Sequence, residues 1–551
     1  MIRFWMALLL LSHTFADQSG HVLFLIHRGQ LVEALTAYSE NCKALGKHDF
    51  GLLQQIALDV LEQGIRSTEG ETRLMALFGA GVSANEKALP LLQMGLLCRE
   101  PQLQLVSLNF LARYQNDHCN AAINRALLTA HPLIRLEACF MLAQMRAPQC
   151  VGQAEALMAK FPPELTPIFP RLFAMIGDAS STRTLRKLLT HSDVKVRLEA
   201  ILSVAQFKRD DLLPTLRTLA SQHDVRQQEA CAMALGILKD GSSKERLEKL
   251  TCSKNSHVQL AAHWALYQIG ENAHKAFLLE AAKNQNPFAI TLLADIPGSE
   301  ETLFALCQQE NGSLRMNSAL SLLHRRDVRA LPFLKEIWFP DARDVIFLEE
   351  TSPGQAMKAL KIVTSSTQKH EETPVMIELA IDTREKALIE AVELPQPVFL
   401  HIADMIFQRG YSDLHPILTR LLSNLESEEA TALLKREQQR AGAPFIRMLA
   451  TLALYQMDEE GPYGANLQKW LQKELVRDVV HFRPTIPFEL RERDSQYELT
   501  PQQTTQIYIE ALETLAQKQQ DSGIDLLLWG LANGHERNRC LIAGLLLRAT
   551  Q

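Results

Sequence analysis

The sequence predicts an all-α fold, an α-solenoid (superhelix) of stacked antiparallel helix pairs, and three observations carry that prediction. One line is written several times: "HPLIRLEACFMLAQM" from His131, "HSDVKVRLEAILSVAQF" from His191 and "QHDVRQQEACAMALGIL" from Gln222. Aligning the small residue after the shared glutamate gives Ala138, Ala200 and Ala230. The same frame reaches Ala76, Ser107, Ala261 and Ser318, with weaker copies at Phe169 and Ile290, so the period is about 31 residues. Within a copy the apolar side chains recur at helical spacing, as Val194, Leu198, Ile201 or Leu202, and Ala205, which marks one helix face. A second helix per unit is marked by proline in "ALPLLQMGL", "LLPTLRTLA", "ALPFLKEIW" and "LHPILTRLL", at Pro90, Pro214, Pro332 and Pro416. Proline suits a first helical turn because the N–H it lacks would have no helical partner there.

Taken in order, residues 1–16 read as a signal peptide. Arg3 supplies the positive start, "FWMALLLL" the apolar core, and Thr14 and Ala16 the small residues before a cut at Asp17. That apolar run is too short for a bilayer, which needs about 20 residues, and no later segment offers a span. Residues 17–69 form an N-terminal capping helical hairpin, "GQLVEALTAYSENCKALG" and "HDFGLLQQIALDVLEQGI", expected to shield the open apolar face of the first repeat.

Residues 70–335 are the regular array. A helix pair of this size cannot bury its apolar face alone, so neighbouring pairs must shelter one another, giving an elongated stack with a separate cap at each end. First helices often open on proline as well, at Pro101, Pro132 and Pro287, the last behind the cap residue Asn286. Three residues before the reference lies Arg73, Arg135, Arg197 or Arg315. An arginine repeated in this way is expected to pair with a carboxylate or helix end of the adjacent unit, since chemistry would need it only once.

These lines resemble HEAT repeats, an armadillo-like helical family, and in particular the short class of about 30 residues associated with phycobilin lyases. "DVKVRLEAILSVAQF" and "DVRQQEACAMALGIL" carry its Asp-x-x-Val-Arg-x-x-Ala-x-x-Ala-Leu-Gly theme, and the resemblance extends over residues 70–335. It implies the solenoid and leaves the activity open.

Beyond the array, residues 336–380 are expected as an irregular connection, because "FPDARDVIFLEETSPGQ" and "SSTQKHEETP" break the period with prolines and charge clusters. Residues 381–477 resume as looser helical repeats, and residues 501–551 close the chain as C-terminal capping helices. Between them residues 478–500 form an extended insert, since Pro484 and Pro487 exclude a regular helix. This insert mixes aromatic and cationic side chains of the kind enriched at binding hot spots, and His481, Phe482, Arg483, Phe488 and Arg491 are the candidate binding residues. The competing expectation is a strap packed along the solenoid.

Composition removes several functional classes. A formal charge of −6 and the lack of a long basic run argue against nucleic acid; "KREQQR" at 435–440 is interrupted by Glu437 and reads as a solvated helix face. The nine cysteines contain no C-x-x-C pair, and Cys139 and Cys231 sit in repeated helices as small apolar side chains. Two enzyme classes use such repeats. A di-iron hydroxylase would need His-Glu pairs in the repeat helices, but Leu136, Leu198 or Gln228 precedes the shared glutamate. The two His-Glu pairs present, His370-Glu371 and His535-Glu536, lie in polar linkers far apart. A lyase would need a tetrapyrrole pocket, which no motif marks. Phosphate loops, H-E-x-x-H and G-x-S-x-G are absent. The expectation is a bacterial, exported, non-catalytic scaffold in the periplasm or cell envelope that binds a protein partner without cofactor or metal, the alternative being a HEAT-repeat enzyme or enzyme subunit.

Overall fold

The first helices of the repeats begin where an Asp or Asn side chain can take up an orphan N–H. In the computed structural model Asp193, Asp224, Asn255, Asn286 and Asn311 each accept a hydrogen bond from a backbone amide of the helix they precede. The helices so opened are Val194–Gln206, Val225–Ile237, Ser256–Gln268, Pro287–Leu293 and Gly312–His324. Each leads through a tight turn into its second helix: Leu213–Ala220, Lys244–Leu250, Lys275–Lys283, Glu300–Cys307 and Leu331–Trp338. Several of these turns hold a residue in the left-handed region, at Lys208, Lys239, Gly270 and Arg326. The tight reversal demands that conformation even where no glycine is present to adopt it freely.

The structure describes residues 19–114, 117–339, 345–348, 352–358, 360–366, 374–409, 412–440, 442–480 and 501–551. They group into two compact units, one of Cys139–Leu421 and one joining the chain up to Ala138 with the chain from Leu422 onward. The signal-peptide segment lies outside the described residues.

The reading frame of the repeat is the frame of the core. All nine reference positions, Ala76, Ser107, Ala138, Phe169, Ala200, Ala230, Ala261, Ile290 and Ser318, have no solvent exposure. Small side chains there let helices approach closely: a Cβ at Gly236 would lie 2.8 Å from Ala265 Cα. The weak copies at Phe169 and Ile290 belong to short helices, Phe169–Ile176 and Pro287–Leu293, each about two turns long. Prolines 90, 214 and 332 stand in the first turns of Leu89–Leu96, Leu213–Ala220 and Leu331–Trp338.

Two of the recurring arginines, Arg73 and Arg197, join one repeat to the next. Arg73 donates to Glu100 at 2.9 Å and Arg197 to Asp224 at 2.8 Å, and both acceptors occupy the N-cap position of the following first helix. Arg315 reaches forward to Glu336 at 2.8 Å in its own second helix instead. Arg197 also donates to the backbone carbonyls of His191 and Ser192, so one guanidinium ties together the end of one unit and the start of another.

Two arrangements differ from the sequence expectation. In the unit holding both ends of the described chain, the N-terminal hairpin of Leu31–Leu45 and Phe50–Ile65 is not the sole cover of the first repeat. The C-terminal helix Arg539–Ala549 packs against both Phe50–Ile65 and Gly70–Val82. Glycines make this possible: a Cβ at Gly544 would lie 2.0 Å from Gly79 O, and one at Gly79 would lie 2.1 Å from Cys540 O. Asn85 donates to Leu547 O at 3.2 Å and Gln551 to Ser83 O at 3.2 Å. The separate caps anticipated for an open-ended stack are therefore one shared packing.

The second difference concerns residues 336–380, anticipated as an irregular connection. Strand β1, Val345–Leu348, pairs antiparallel with β2, Val363–Ser366, in the register Val345 to Ser366 and Leu348 to Val363. Between the strands Ser352 opens a one-turn helix, Pro353–Ala356, through a capping box with Gln355. The hairpin packs on Gly312–His324 through β2, and the short helix packs on Val194–Gln206 and Val225–Ile237. What the broken period concealed is a segment laid against the first helices, outside the solenoid repeat.

Candidate functional site

The first helices of the Cys139–Leu421 unit carry a cleft of about 750 Å³. Its walls come from four successive repeats: Leu198 and Leu202, then Val225, Arg226 and Glu229, then Asn255 and His257, then Asn286 and Phe288. The non-repeat segment closes one side with Ser352, Pro353, Met357 and Ile362. A cleft of this kind follows from the stacking, because equivalent helix positions line up while their side chains are free to differ.

Glu229 is the most informative residue in it. Its side chain is 4% exposed, and a carboxylate so buried must be satisfied by donors. The donors come from the segment: the Ser352 hydroxyl, and the Gly354 amide at 2.8 Å. His257 Nδ1 stands 3.7 Å from the same oxygen, and its ring stacks on Phe288 with centroids 5.3 Å apart. Gly354 is required here, since a Cβ would lie 2.6 Å from Glu229 Oε1 and 3.0 Å from Phe288.

Two further grips hold the segment. Asn317, 2% exposed, donates to Val363 O at 2.6 Å and accepts from Val363 N at 2.9 Å, so its amide takes the place of a neighbouring strand. Lys358 is paired with Asp295 and lies over the Trp264 ring at 5.1 Å. Burial pushes the Lys358 amine down to about 7. Asp295 is also 3.9 Å from His324, whose other ring nitrogen meets Glu390 at 3.2 Å. That hydrogen bond to Glu390, outweighing burial, raises the His324 pKa.

The candidate residues taken from the sequence, His481, Phe482, Arg483, Phe488 and Arg491, lie outside the described residues. Their N-terminal flank is anchored: Val480 is buried and Val479 O accepts from the Thr505 hydroxyl at 2.9 Å. His370 and Glu371 also lie outside. His535, of the other His-Glu pair, caps the turn Glu536–Asn538. Sequence reasoning noticed the glutamate shared by the repeats but missed that Glu229 receives the 352–354 turn. The signal was there in "TSPGQ", a capping Ser with Pro and Gly behind it inside a stretch that breaks the period.

One cluster in the other unit has the residue types of a thiol site. Cys42 Sγ lies 3.5 Å from His48 Nδ1, and His48 Nε2 lies 3.5 Å from Asp525. The Tyr38 hydroxyl is nearer to Nδ1, at 3.1 Å, and accepts from Asp49 N at 3.2 Å. Burial, then Asp525 and Asp521, push the Cys42 thiol up. The thiol is thereby kept protonated, the opposite of an activated nucleophile. Among the described residues no group of three or more His, Cys, Asp or Glu side chains is placed to hold a metal ion. No described helix is long and apolar enough to cross a membrane.

Against known proteins, the family described as HEAT repeats matches residues 182–251, which include the Val194 and Val225 helices. No curated protein matches the chain. Among solved structures, the CpcE–CpcF complex of phycocyanin lyase from Nostoc sp. shares 20% identity over 39% of this chain and 92% of its own, with a TM-score of 0.29. The karyopherin Kap121p bound to the C-terminus of the protein phosphatase Cdc14p shares 13% identity over 96% of this chain and 57% of its own, with a TM-score of 0.35. Superpositions this loose carry no functional information, and the architecture rests on the helix pairs themselves.

Proposed function

From the premise that the chain is a HEAT-repeat solenoid, we propose that it is a non-catalytic scaffold that binds another protein through its first-helix face. The observation that carries this reading is the cleft across four successive first helices, where stacked repeats bring Arg226, Glu229 and His257 to one face. A rigid frame with a varied face is suited to spreading recognition over several units.

The positive, apolar and small residues that open the chain place the protein, in this reading, in the periplasm or cell envelope of a bacterium. Affinity capture with crosslinking from the envelope fraction is the direct test. A specific protein, held less well after Arg226→Ala or His257→Ala, is the expected result; the absence of any specific protein counts against the scaffold. Stoichiometric metal or a chromophore in the purified protein would overturn the non-catalytic part. Intact mass should place the mature N-terminus at Asp17, and an uncut Met1 in a cytosolic fraction would remove export. In the same assay, deletion of residues 481–500 is expected to weaken partner binding and leave thermal unfolding nearly unchanged, whereas loss of folding would make that insert a structural strap.

A further inference from the structure

We propose that the first-helix face of the Cys139–Leu421 unit is a peptide groove whose present occupant, residues 352–363, stands in for a partner segment of the same chemistry. That partner is an extended, basic stretch presenting a Ser-Pro-Gly-like turn to Glu229 and a lysine to Asp295. The proposal rests on the scaffold reading and gives it a ligand class.

The groove both packs the segment, burying Ile362 and Val363, and binds its polar groups. Glu229 and Asn317 are buried yet face the segment, and their acceptors and donors are met by a hydroxyl and by main-chain groups. Alongside the buried Ile362 and Val363 these polar groups are specific, since burying a carboxylate or an amide is unfavourable unless each is fully partnered. Asn317 grips both main-chain polar groups of one residue, Val363, and so fixes an extended chain without reading its side chain. Specificity comes from the flanking contacts. Gly354 is the residue that fits between Glu229 and Phe288, and the lysine is selected by Asp295 together with the Trp264 face. Asp295, paired with Lys358, is the acidic reader that sets the partner's charge as basic, whereas Glu229 takes a hydroxyl and a main-chain amide.

The segment is also held as a competitor would be. It is tethered to the solenoid at Trp338 and again through the Pro374–Ala391 helix, so its local concentration is high, on the order of millimolar for a short tether. Beside it the cleft stays open, with Arg226, Asn255 and His257 on its walls. An incoming chain can therefore make contact before the resident one leaves.

The test uses the full chain and a fluorescein-labelled synthetic peptide with the sequence of residues 350–366, read by fluorescence anisotropy. Gly354→Leu evicts the resident turn by steric conflict, and Lys358→Glu does so by repulsion from Asp295 should the first variant fail to fold. An evicted chain is expected to bind the peptide at least tenfold more tightly than the unaltered chain. Adding Asn317→Ala to it, or replacing Lys358 of the peptide by glutamate, should each lose tenfold or more. Equal binding by evicted and unaltered chains, with helicity and melting preserved, would overturn the groove; indifference to Lys358 of the peptide would overturn the assigned chemistry. Peptide binding without any envelope partner supports the groove and counts against the scaffold. An envelope partner indifferent to Gly354→Leu and Asn317→Ala supports the scaffold and counts against the groove.

Discussion

His324 shows how a single side chain can report on the segment's anchorage. It faces Glu390 and Asp295, with Arg325 and Arg326 opposing them and Lys358 on the far side of Asp295. The hydrogen bond to Glu390 leads these influences, so the imidazolium is favoured in the folded protein. The stabilisation is fully present below the ordinary histidine pKa and is lost as pH rises through the raised value. An NMR titration of the His324 ring is expected to give a midpoint above that of an exposed histidine, and Glu390→Gln should return it toward the ordinary value. A midpoint unmoved by Glu390→Gln would assign the shift elsewhere. Residues of this type are illegible in sequence, because Asp295, His324, Lys358 and Glu390 come together only through packing.

At the scale of the helix, Asp224 does two things at once. It caps Val225–Ile237 by accepting from Gln227 N, and it receives Arg197 from the preceding repeat at 2.8 Å. Asp224→Ala is expected to cost about 2 kcal/mol in chemical denaturation, the size of a lost cap with a charge-assisted hydrogen bond added. Asp224→Asn, which keeps the cap and weakens the pair, should cost less than half of that. Equal losses in the two variants would show that the cap matters little. This level of the fold was legible: the period, the proline-marked second helices and the buried reference positions follow from helical spacing, which repetition reinforces. The hairpin β1–β2 was not. Its stretch is interrupted by prolines and charges, and the partners that order it, Glu229 and Asn317, are supplied by helices read earlier as repeat core. The candidate residues of the 478–500 insert were chosen on composition, whereas the cleft depends on which helix faces line up.

Across the whole chain, the contact that sequence periodicity could not foresee is the one between its described ends, since a repeat rule speaks only of neighbours. Gly79 and Gly544 touch backbone to backbone, so Gly544→Ala is expected to cost about 3 kcal/mol or more, with no compensating rotamer available to a methyl group. Gly241→Ala, where a Cβ meets nothing within 4 Å, is the control and should be near neutral. Similar melting of the two variants would remove the close approach as a source of stability. Linear repeat proteins ordinarily fray from their outermost units inward. Here the amides of Gly70–Val82 lie under Arg539–Ala549, and hydrogen exchange should find them protected as slowly exchanging groups of the interior are. Removing residues 539–551 should turn the same amides into the fastest-opening helix of their unit, because the seal on the first repeat comes from the far end of the polypeptide.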